Sequence, residues 1–542
     1  MKERGWTAIA CVTFALLAVW LTWPLLLRLT SGLSHGADGL LNAWTLGWSF
    51  HILTTDPLSL FDANIFAPRP DTLAYSEHLF GITLLAGPMY LMTGNLVLAY
   101  NFAMFSSFVL SGLGMYLLAR DLAGDKWAAL IAGTIFLAAP YRFGHLLQLQ
   151  LLTLQWFPLA FWSLNRFLRD GRPRQLAGAV LFTTLQILSC NYYAVYLAFA
   201  LAVLAIVLLI AGRPLLSRRK IVSLTLGAAA VSVLVTPFIP PYVRNRERGF
   251  YRRYEDVVHF SARPADYLTS SSFNKWRNAQ PRSEKALFPG FGAMALAGAG
   301  LFFGRRRDPM WIFFVVLSLL GFVLSLGPEI QIFGETLYLP YRFFYRHVPG
   351  FGGLRVPARL AVLTLVGLSA LSAWGAAGLL SKARRYRPIV AVAFLGILVF
   401  EYRTYPLDRV FPEAPRIPEV HRWLAKAPAK GAVLVLPIYE GEDIVHESLT
   451  MYYSTAHFRP LVNGYSGWWP NDYWELVGRL RHFPTAPILD FLLDRAPVRY
   501  IVIHYGRIPQ PRRRQLQAGM ERYHERMPVV FRVGQDVVHE IR

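Results

Sequence analysis

LSHGADGLLNAWTLGWSFHILTTDPLSLFDANIFAPRPDTLAYSEH, residues 33–78, is the stretch on which the reading of the whole chain turns. It holds Asp38, Asp56, Asp62, Asp71 and Glu77, and Arg69 is its one Arg or Lys. Pro57, Asn64, Pro68 and Pro70 punctuate it with turns, so it does not read as a spanning helix. The aromatic residues Trp44, Trp48, Phe50, Phe61, Phe66 and Tyr75 are interleaved with the carboxylates. It follows directly on an apolar run. An acidic, aromatic, turn-rich segment at a membrane surface is suited to bind and act on something there, and most of the remaining chain reads as the body that holds it.

That body is a membrane body. Of the 542 residues, 54% are hydrophobic and only 16% charged, against roughly 25% charged in soluble domains. The net charge of +22 would suggest nucleic acid in a soluble protein. Here much of the Arg and Lys lies in short loops between apolar runs, the positive-inside pattern, so no nucleic-acid partner is expected. Cys11 and Cys190 both sit in apolar segments and form neither a metal pattern nor a disulfide framework. The start, MKERGW followed by an apolar run, resembles a signal sequence without a small-residue cleavage site, so it reads as a retained first helix.

Spans are expected at about 7–29, 97–119, 127–140, 147–168, 175–190, 193–212, 221–240, 287–304, 310–327, 355–380 and 388–405. Many of these reach or approach the roughly 20 residues that cross a bilayer. The basic loops LARDLAGDK (118–126), NRFLRDGRPR (165–174), GRPLLSRRK (212–220), GRRRD (304–308) and SKARRYR (381–387) fall on one side if 97–119 is the second crossing. Counting 79–93 as a lone crossing would put all five outside. Residues 39–95 are therefore expected to contribute an even number of crossings, most simply none, with helices near 39–54 and 77–94 at the membrane surface. The expectation is eleven crossings, a cytoplasmic N-terminus and an extracytoplasmic C-terminus. Outer segments are then 30–96, 140–147, 241–286, 328–354 and everything after about 406. The loop 241–286 is basic and Tyr-rich, suited to anionic headgroups.

The expected domains are thus 1–406, a transmembrane body with outer loops 30–96 and 241–286, and 407–542, an outer α/β domain. In the latter GAVLVLPI (431–438), VRYIVIHY (498–505) and VVFRVGQDVVHEI (529–541) read as strands, the last as a hairpin turning at Gly534–Asp536. Segments near 417–426, 472–482 and 511–525 read as helices.

Five constellations could carry chemistry. Asp38, beside His35 in a GADG turn, suits a general base for a hydroxyl acceptor; it equally suits the N-cap of the helix that follows. Glu77 and His78 precede an apolar helix, with Ser76 and Glu77 capping it or the Glu-His pair orienting substrate or binding a metal, for which two adjacent residues are too few. In PYRFGHLLQLQ, Arg142, His145 and Gln148 are spaced to share one helical face, lining a cavity or lying at headgroup depth. In PGFGGLRVPARL, Arg355 and Arg359 lie one turn apart at a helix start. Their planar forks suit phosphate oxygens, or they extend to lipid headgroups. In NGYSGWWPNDYW (463–474) the aromatic residues either stack on sugar rings or form a docking surface.

Pro57 through GPMYLMTGNLVLAYN, then MYLLARDLAG and AALIAGTIFLAAP, resemble the run that leads from the first outer loop into the helical module of the GT-C superfamily of membrane glycosyltransferases. The PGFGGLRVPARL and NGYSG elements resemble bacterial multi-pass proteins described as glycosyltransferase-like. The resemblance implies an α-helical polytopic membrane fold of the bacterial inner membrane. It implies a transferase that moves a hexosyl or pentosyl group from a polyprenyl-phosphate carrier to a glycan, lipid or protein acceptor on the outer face. The superfamily's first-loop acid is, or lies near, the catalytic base, and Asp38 matches that position. Glu77, His78, Arg142, His145, Gln148, Arg355 and Arg359 would then contact substrate. Many members carry a second acid in the next outer loop; here 140–150 has none, so a divalent metal lacks support and no cofactor is expected. A flippase for a lipid-linked substrate and a non-catalytic scaffold with an outer partner-binding domain are the alternatives. A flippase would need embedded charges along a path, and the centres of the expected spans hold almost no acids.

Overall fold

A computed structural model describes residues 3–34, 36–211, 217–275, 283–332, 334–407 and 410–542; His35 lies outside them. In chain order the helices are α1 (Glu3–Leu21), α2 (Ala37–Thr55), α3 (Phe80–Thr93), α4 (Leu96–Ala123), α5 (Lys126–Ala138), α6 (Pro140–Gly144), α7 (Leu149–Leu152), α8 (Trp156–Asp170), α9 (Pro173–Ser189), α10 (Asn191–Ala211) and α11 (Arg218–Val235). Then come α12 (Pro240–Glu247), α13 (Tyr254–His259), α14 (Phe291–Phe303) and α15 (Pro309–Ser325). A hairpin of β1 (Glu329–Ile332) and β2 (Glu335–Tyr338) precedes α16 (Tyr341–His347), α17 (Ala361–Lys382), α18 (Arg387–Tyr402) and α19 (Glu419–Leu424). The rest is β3 (Ala432–Leu436), α20 (Glu447–Ser454), α21 (Asn471–Leu480), α22 (Ala486–Arg495), β4 (Val498–His504), α23 (Gln510–Arg522), β5 (Val529–Val533) and β6 (Asp536–Glu540). The chain groups into two compact units: 1–29, 101–239 and 251–409 form the first, and 30–100, 240–250 and 410–542 the second.

In the first unit α17 is the central helix, packed on by α5, α14 and α15. Small residues permit this. A Cβ on Gly300 would lie 2.1 Å from the Leu371 carbonyl oxygen, and one on Gly375 would lie 1.9 Å from that of Leu296. Backbones in that contact leave no room for a side chain, the small-residue packing typical of membrane helices. The apolar window of α17 is 89% buried, that of Arg218–Phe238 only 6%, so the latter presents its sides outward. Glu401, at the end of α18, caps α14, its carboxylate accepting the backbone N–H groups of Phe291 (2.5 Å) and Gly292 (3.0 Å).

Every expected span carries helix, but by length and apolarity four helices among the described residues are long enough to cross: Leu96–Ala123, Asn191–Ile210, Arg218–Phe238 and Pro357–Lys382. Gly5–Leu21, Phe80–Thr93, Phe291–Phe303 and Pro309–Ser325 are apolar and shorter. The run expected as one span at 147–168 is broken into α7 and α8. Pro158 sits in the first turn of α8, where its missing N–H costs nothing, so the helix starts afresh there. With 14 residues, α3 is about 21 Å long, short of the roughly 30 Å hydrocarbon core.

The second unit joins two stretches that the sequence assigns to different domains. Its sheet runs β3-β4-β6-β5, with β3 and β4 parallel and β4–β6 and β5–β6 antiparallel. The open edge of β3 is covered. Val433 donates to Pro460 and accepts from Val462, and the Asn463 amide pairs with both the N–H and C=O of Val435 (2.8 and 2.9 Å). The acidic loop is stitched to that added segment in turn. Phe66 and Ala67 donate to the carbonyls of Asn463 and Leu461, and Leu461 donates to Asn64. An uncovered edge seeks partners, and residues 64–67 close it. The NGYSGWWPNDYW stretch is accordingly a docking surface: Phe66 stands edge-on to Tyr473, Tyr75 edge-on to Trp468, and Phe250 stacks on Trp468. Two arginines of the basic loop are engaged within this unit. Arg244 and Arg248 bind Asp71, 4% exposed, with Nε–Oδ2 at 2.9 Å and Nη1–Oδ2 at 3.0 Å, because a buried carboxylate demands compensation.

Candidate functional site

Three segments of the first unit converge: the turn after α6, the loop before α14 and the turn of 3₁₀ helix at Pro357–Leu360. At the centre is Glu284. Arg359 grips its carboxylate with both arms of the guanidinium, Nε–Oε2 at 3.0 Å and Nη2–Oε1 at 2.5 Å. His145 Nδ1 lies 4.0 Å from the same carboxylate and 3.1 Å from Gln148 Oε1. Tyr192 lies under the Arg359 guanidinium, 4.5 Å from ring centroid to Cζ, and its hydroxyl accepts the Arg355 backbone N–H at 3.2 Å. The Arg355 guanidinium stands over Phe260 at 5.1 Å, and its Nε is buried with no hydrogen-bond partner among the described residues.

The electrostatics follow from burial. Burial pushes the Glu284 carboxyl upward, but the charges of Arg359, His145 and Arg355 outweigh it and bring the pKa down to about 2. Burial lowers His145, with the Arg359 charge acting the same way and Glu284 opposing. Arg252 is pulled down by burial and faces the positive charges of Arg355 and Arg359. Arg355 and Arg359 thus act on the Glu284 carboxylate, and Arg252 lies near both arginines with Asp256 as its acidic neighbour.

Arg142 does not join this group, and the one-face expectation is corrected: α6 ends at Gly144 and the chain turns before Gln148. Arg142, fully buried, reaches α4 instead, donating to Ser111 Oγ (2.6 Å), Ser107 Oγ (3.1 Å) and the Leu152 carbonyl (3.0 Å). It ties the turn to α4, because a fully buried guanidinium takes whatever acceptors surround it. Arg359 is likewise engaged with a carboxylate rather than extended to headgroups.

The remaining sequence candidates lie in the second unit. Asp38 is not the N-cap: α2 begins at Ala37, Gly36 occupies the cap, and Asp38 stands half-buried in the first turn, where the helix dipole favours a negative charge. The turn is tight, since a Cβ on Gly39 would lie 2.2 Å from the Ser34 carbonyl oxygen. His78 is buried, and its Nδ1 accepts the Phe80 N–H at 3.0 Å at the start of α3. Burial drives its imidazole to about 3. Glu77 beside it is half-buried.

Glu284 was not among the sequence candidates. It sits in a basic stretch, 75 residues from Arg359, with no motif around it. One signal exists: it is the only carboxylate between Asp266 and Asp308, just ahead of an apolar helix. The acid absent from 140–150 is thus supplied to His145 by a different loop. Among the described residues no group of three or more His, Cys, Asp or Glu is placed to hold a metal ion.

Comparison with known proteins bears on the fold. The family model described as "Predicted membrane protein (DUF2079)" matches residues 51–288. No curated protein sequence matches the chain. Among solved structures, the arabinofuranosyltransferase AftD from Mycobacteria superposes with a TM-score of 0.64 at 16% identity, covering 100% of this chain. The chain spans 40% of the length of AftD. The archaeal oligosaccharyltransferase AglB from Archaeoglobus fulgidus, in complex with an inhibitory peptide and a dolichol-phosphate, superposes with a TM-score of 0.55 at 14% identity, covering 93% of this chain and 70% of its own. The chain shares the fold seen in these two structures.

Proposed function

We propose that this protein is a GT-C membrane glycosyltransferase that takes a sugar from a polyprenyl-phosphate carrier. The observation that carries the reading is the Arg355–Arg359 pair, in which Arg359 grips Glu284 while the buried Arg355 Nε has no hydrogen-bond partner among the described residues. Poorly solvated cations in excess call for an anion, and guanidinium forks suit phosphate oxygens. Arg359 is already paired, so Arg355 is the hand offered to the lipid phosphate. The Glu284–Arg359 pair sets its position through Tyr192. Asp38 is the base. The acceptor hydroxyl attacks the anomeric carbon, its proton passes to Asp38, and the bond from that carbon to the phosphate oxygen breaks. The electron pair leaves with the carrier phosphate, where Arg355 meets the developing charge. Residues 30–96 and 407–542 lie on the extracytoplasmic side in this reading, the side where lipid-linked sugars are the available donors.

The test is transfer in vitro. Full-length protein in vesicles is given radiolabelled polyprenyl-phospho sugars and membrane acceptors. Transfer to an acceptor supports the reading. Movement of donor across the bilayer without transfer would make it a flippase, and neither would leave a scaffold.

A further inference from the structure

The second unit contains four residues, unused in the proposed chemistry, that form one hydrogen-bonded file. His457 lies just past α20, His421 in α19, His504 at the end of β4 and Asp536 at the start of β6. His457 Nε2 is 3.3 Å from His421 Nδ1, His421 Nε2 is 3.4 Å from His504 Nε2, and His504 Nδ1 is 2.9 Å from Asp536 Oδ1. At the far end His457 Nδ1 accepts the backbone N–H of Arg459 at 3.0 Å. His421 and His504 are buried.

The direction of the file follows from its ends, as ring protons are assigned from a network rather than seen. His457 uses Nδ1 as an acceptor, so its proton is on Nε2 and is donated to His421 Nδ1. His421 then carries its proton on Nε2 and donates to His504 Nε2. His504 carries its proton on Nδ1 and donates to Asp536. In this arrangement every ring nitrogen of the file is satisfied. Each position where a further proton would add already faces a hydrogen: His457 Nδ1 faces the Arg459 N–H, His421 Nδ1 faces the His457 N–H, and His504 Nε2 faces the His421 N–H. His421 presents opposite nitrogens to its two neighbours, so the three rings do not converge on one point as metal ligands would.

We propose that the His457–His421–His504–Asp536 file is an acid-sensitive latch. It holds α19, β4, β6 and the turn after α20 together while its imidazoles are neutral, and proton uptake opens the unit. The surroundings reinforce this. Burial pushes His457 down to about 3, with the Arg459 charge adding to it. Burial, then His457, His504 and Arg507, push His421 well below its ordinary value. Asp536 on β6 is the carboxylate facing the file. From α20 the file meets Tyr453, whose ring is 5.3 Å from that of His421 and whose hydroxyl accepts from Arg507 at 2.7 Å. The Arg459 guanidinium is spent on the carbonyls of Leu424, Ala427 and Ala429. From β5 and β6, Arg532 acts on His539 and Tyr505. Glu419 and Arg422 are the charged neighbours on α19 itself. The sign is fixed by His457, lowered to about 3: its ring takes up a proton below about pH 6.5 when the unit is open and not when it is closed, so stability falls as pH drops from there toward about 3.

Hydrogen–deuterium exchange on the full-length protein in lipid nanodiscs tests this, with rates corrected for the intrinsic effect of pH. Between pH 7.5 and 5.5 the opening constant of β3 and β4 should rise about tenfold for each imidazole released, the ratio expected for a free imidazole pKa of about 6.5. His421→Gln can donate and accept without titrating, and should flatten that dependence by at least tenfold. Exchange at the imidazole C2 position in the unaltered protein reads each ring directly, and His421 and His457 should remain neutral at pH 5.5. Protection that does not change with pH, a variant with the same dependence, or ordinary titration of His421 would each overturn the latch. The last measurement decides alone if His421→Gln does not fold.

Discussion

Removing the carboxylate of Glu284 isolates the centre of the candidate site. In Glu284→Ala the Arg359 guanidinium, 7% exposed, loses both of its hydrogen bonds to a carboxylate itself 12% exposed. What is left beside it is the face of Tyr192 at 4.5 Å. Stripping one partner from a buried ion pair typically costs about 3–5 kcal/mol. The titration behaviour of Glu284 gives a similar figure. The drop from 4.5 to about 2, at about 1.4 kcal/mol for each tenfold, corresponds to about 3 kcal/mol. Because the folded carboxyl is the stronger acid, that stabilisation is complete above about pH 4.5 and is lost as pH falls toward about 2. Replacing both partners, as in Glu284→Ala with Arg359→Met, leaves no uncompensated charge and should recover most of the loss. Unfolding in mixed micelles, followed by tryptophan fluorescence across the four proteins of the cycle, measures the coupling. A coupling under about 1 kcal/mol, or a double variant no more stable than Glu284→Ala, would refute a structural pair at this position.

Four other outcomes are expected. Asp38→Asn should lower transfer by about a hundred- to ten-thousand-fold with donor binding retained, and wild-type turnover would leave Asp38 with only its place in the first turn of α2. Arg355→Lys keeps the charge but loses the planar fork, so the KM for donor should rise several-fold while the unfolding midpoint stays put; unchanged donor kinetics would remove Arg355 from phosphate binding. Asp71→Asn removes the carboxylate that Arg244 and Arg248 share and should loosen the second unit, read as faster proteolysis between residues 240 and 250. For topology, a cysteine at Gln535 should be labelled by an impermeant reagent from the outer face and one at Arg306 should not; the opposite pattern reverses the orientation.

Much of the architecture was legible because it rests on local chemistry. Apolar runs and basic loops mark membrane helices whatever surrounds them, and β3, β4 and the β5–β6 hairpin fall where alternation and the Gly534 turn place them. Helix α20 was not legible. ESLTMYYS has weak helical propensity, and it is helical because it packs against α2, nearly 400 residues earlier. The break at 153–155 was hidden for the opposite reason: leucines and aromatics dominate the run on both sides of it, and Thr153, Gln155 and Pro158 were the hints of a new start.

The candidate site divides in the same way. Sequence alone could single out Asp38, His145, Gln148, Arg355 and Arg359, because polar residues at the ends of apolar helices stand out against their surroundings. It also carried the resemblance to the GT-C superfamily. It could not say which of these residues are partners. Glu284 meets Arg359 and His145 only after the loop before α14 folds back, and Arg142 leaves the group because two serines on α4 are the nearest acceptors. Nor could it foresee that the acidic loop would close the edge of a sheet formed by the last hundred residues. Propensity and hydropathy act over one or two turns of chain. The pairing of buried charges and the covering of a strand edge are settled by whichever group, however distant in sequence, is brought within about 3 Å, and only the tertiary structure determines that.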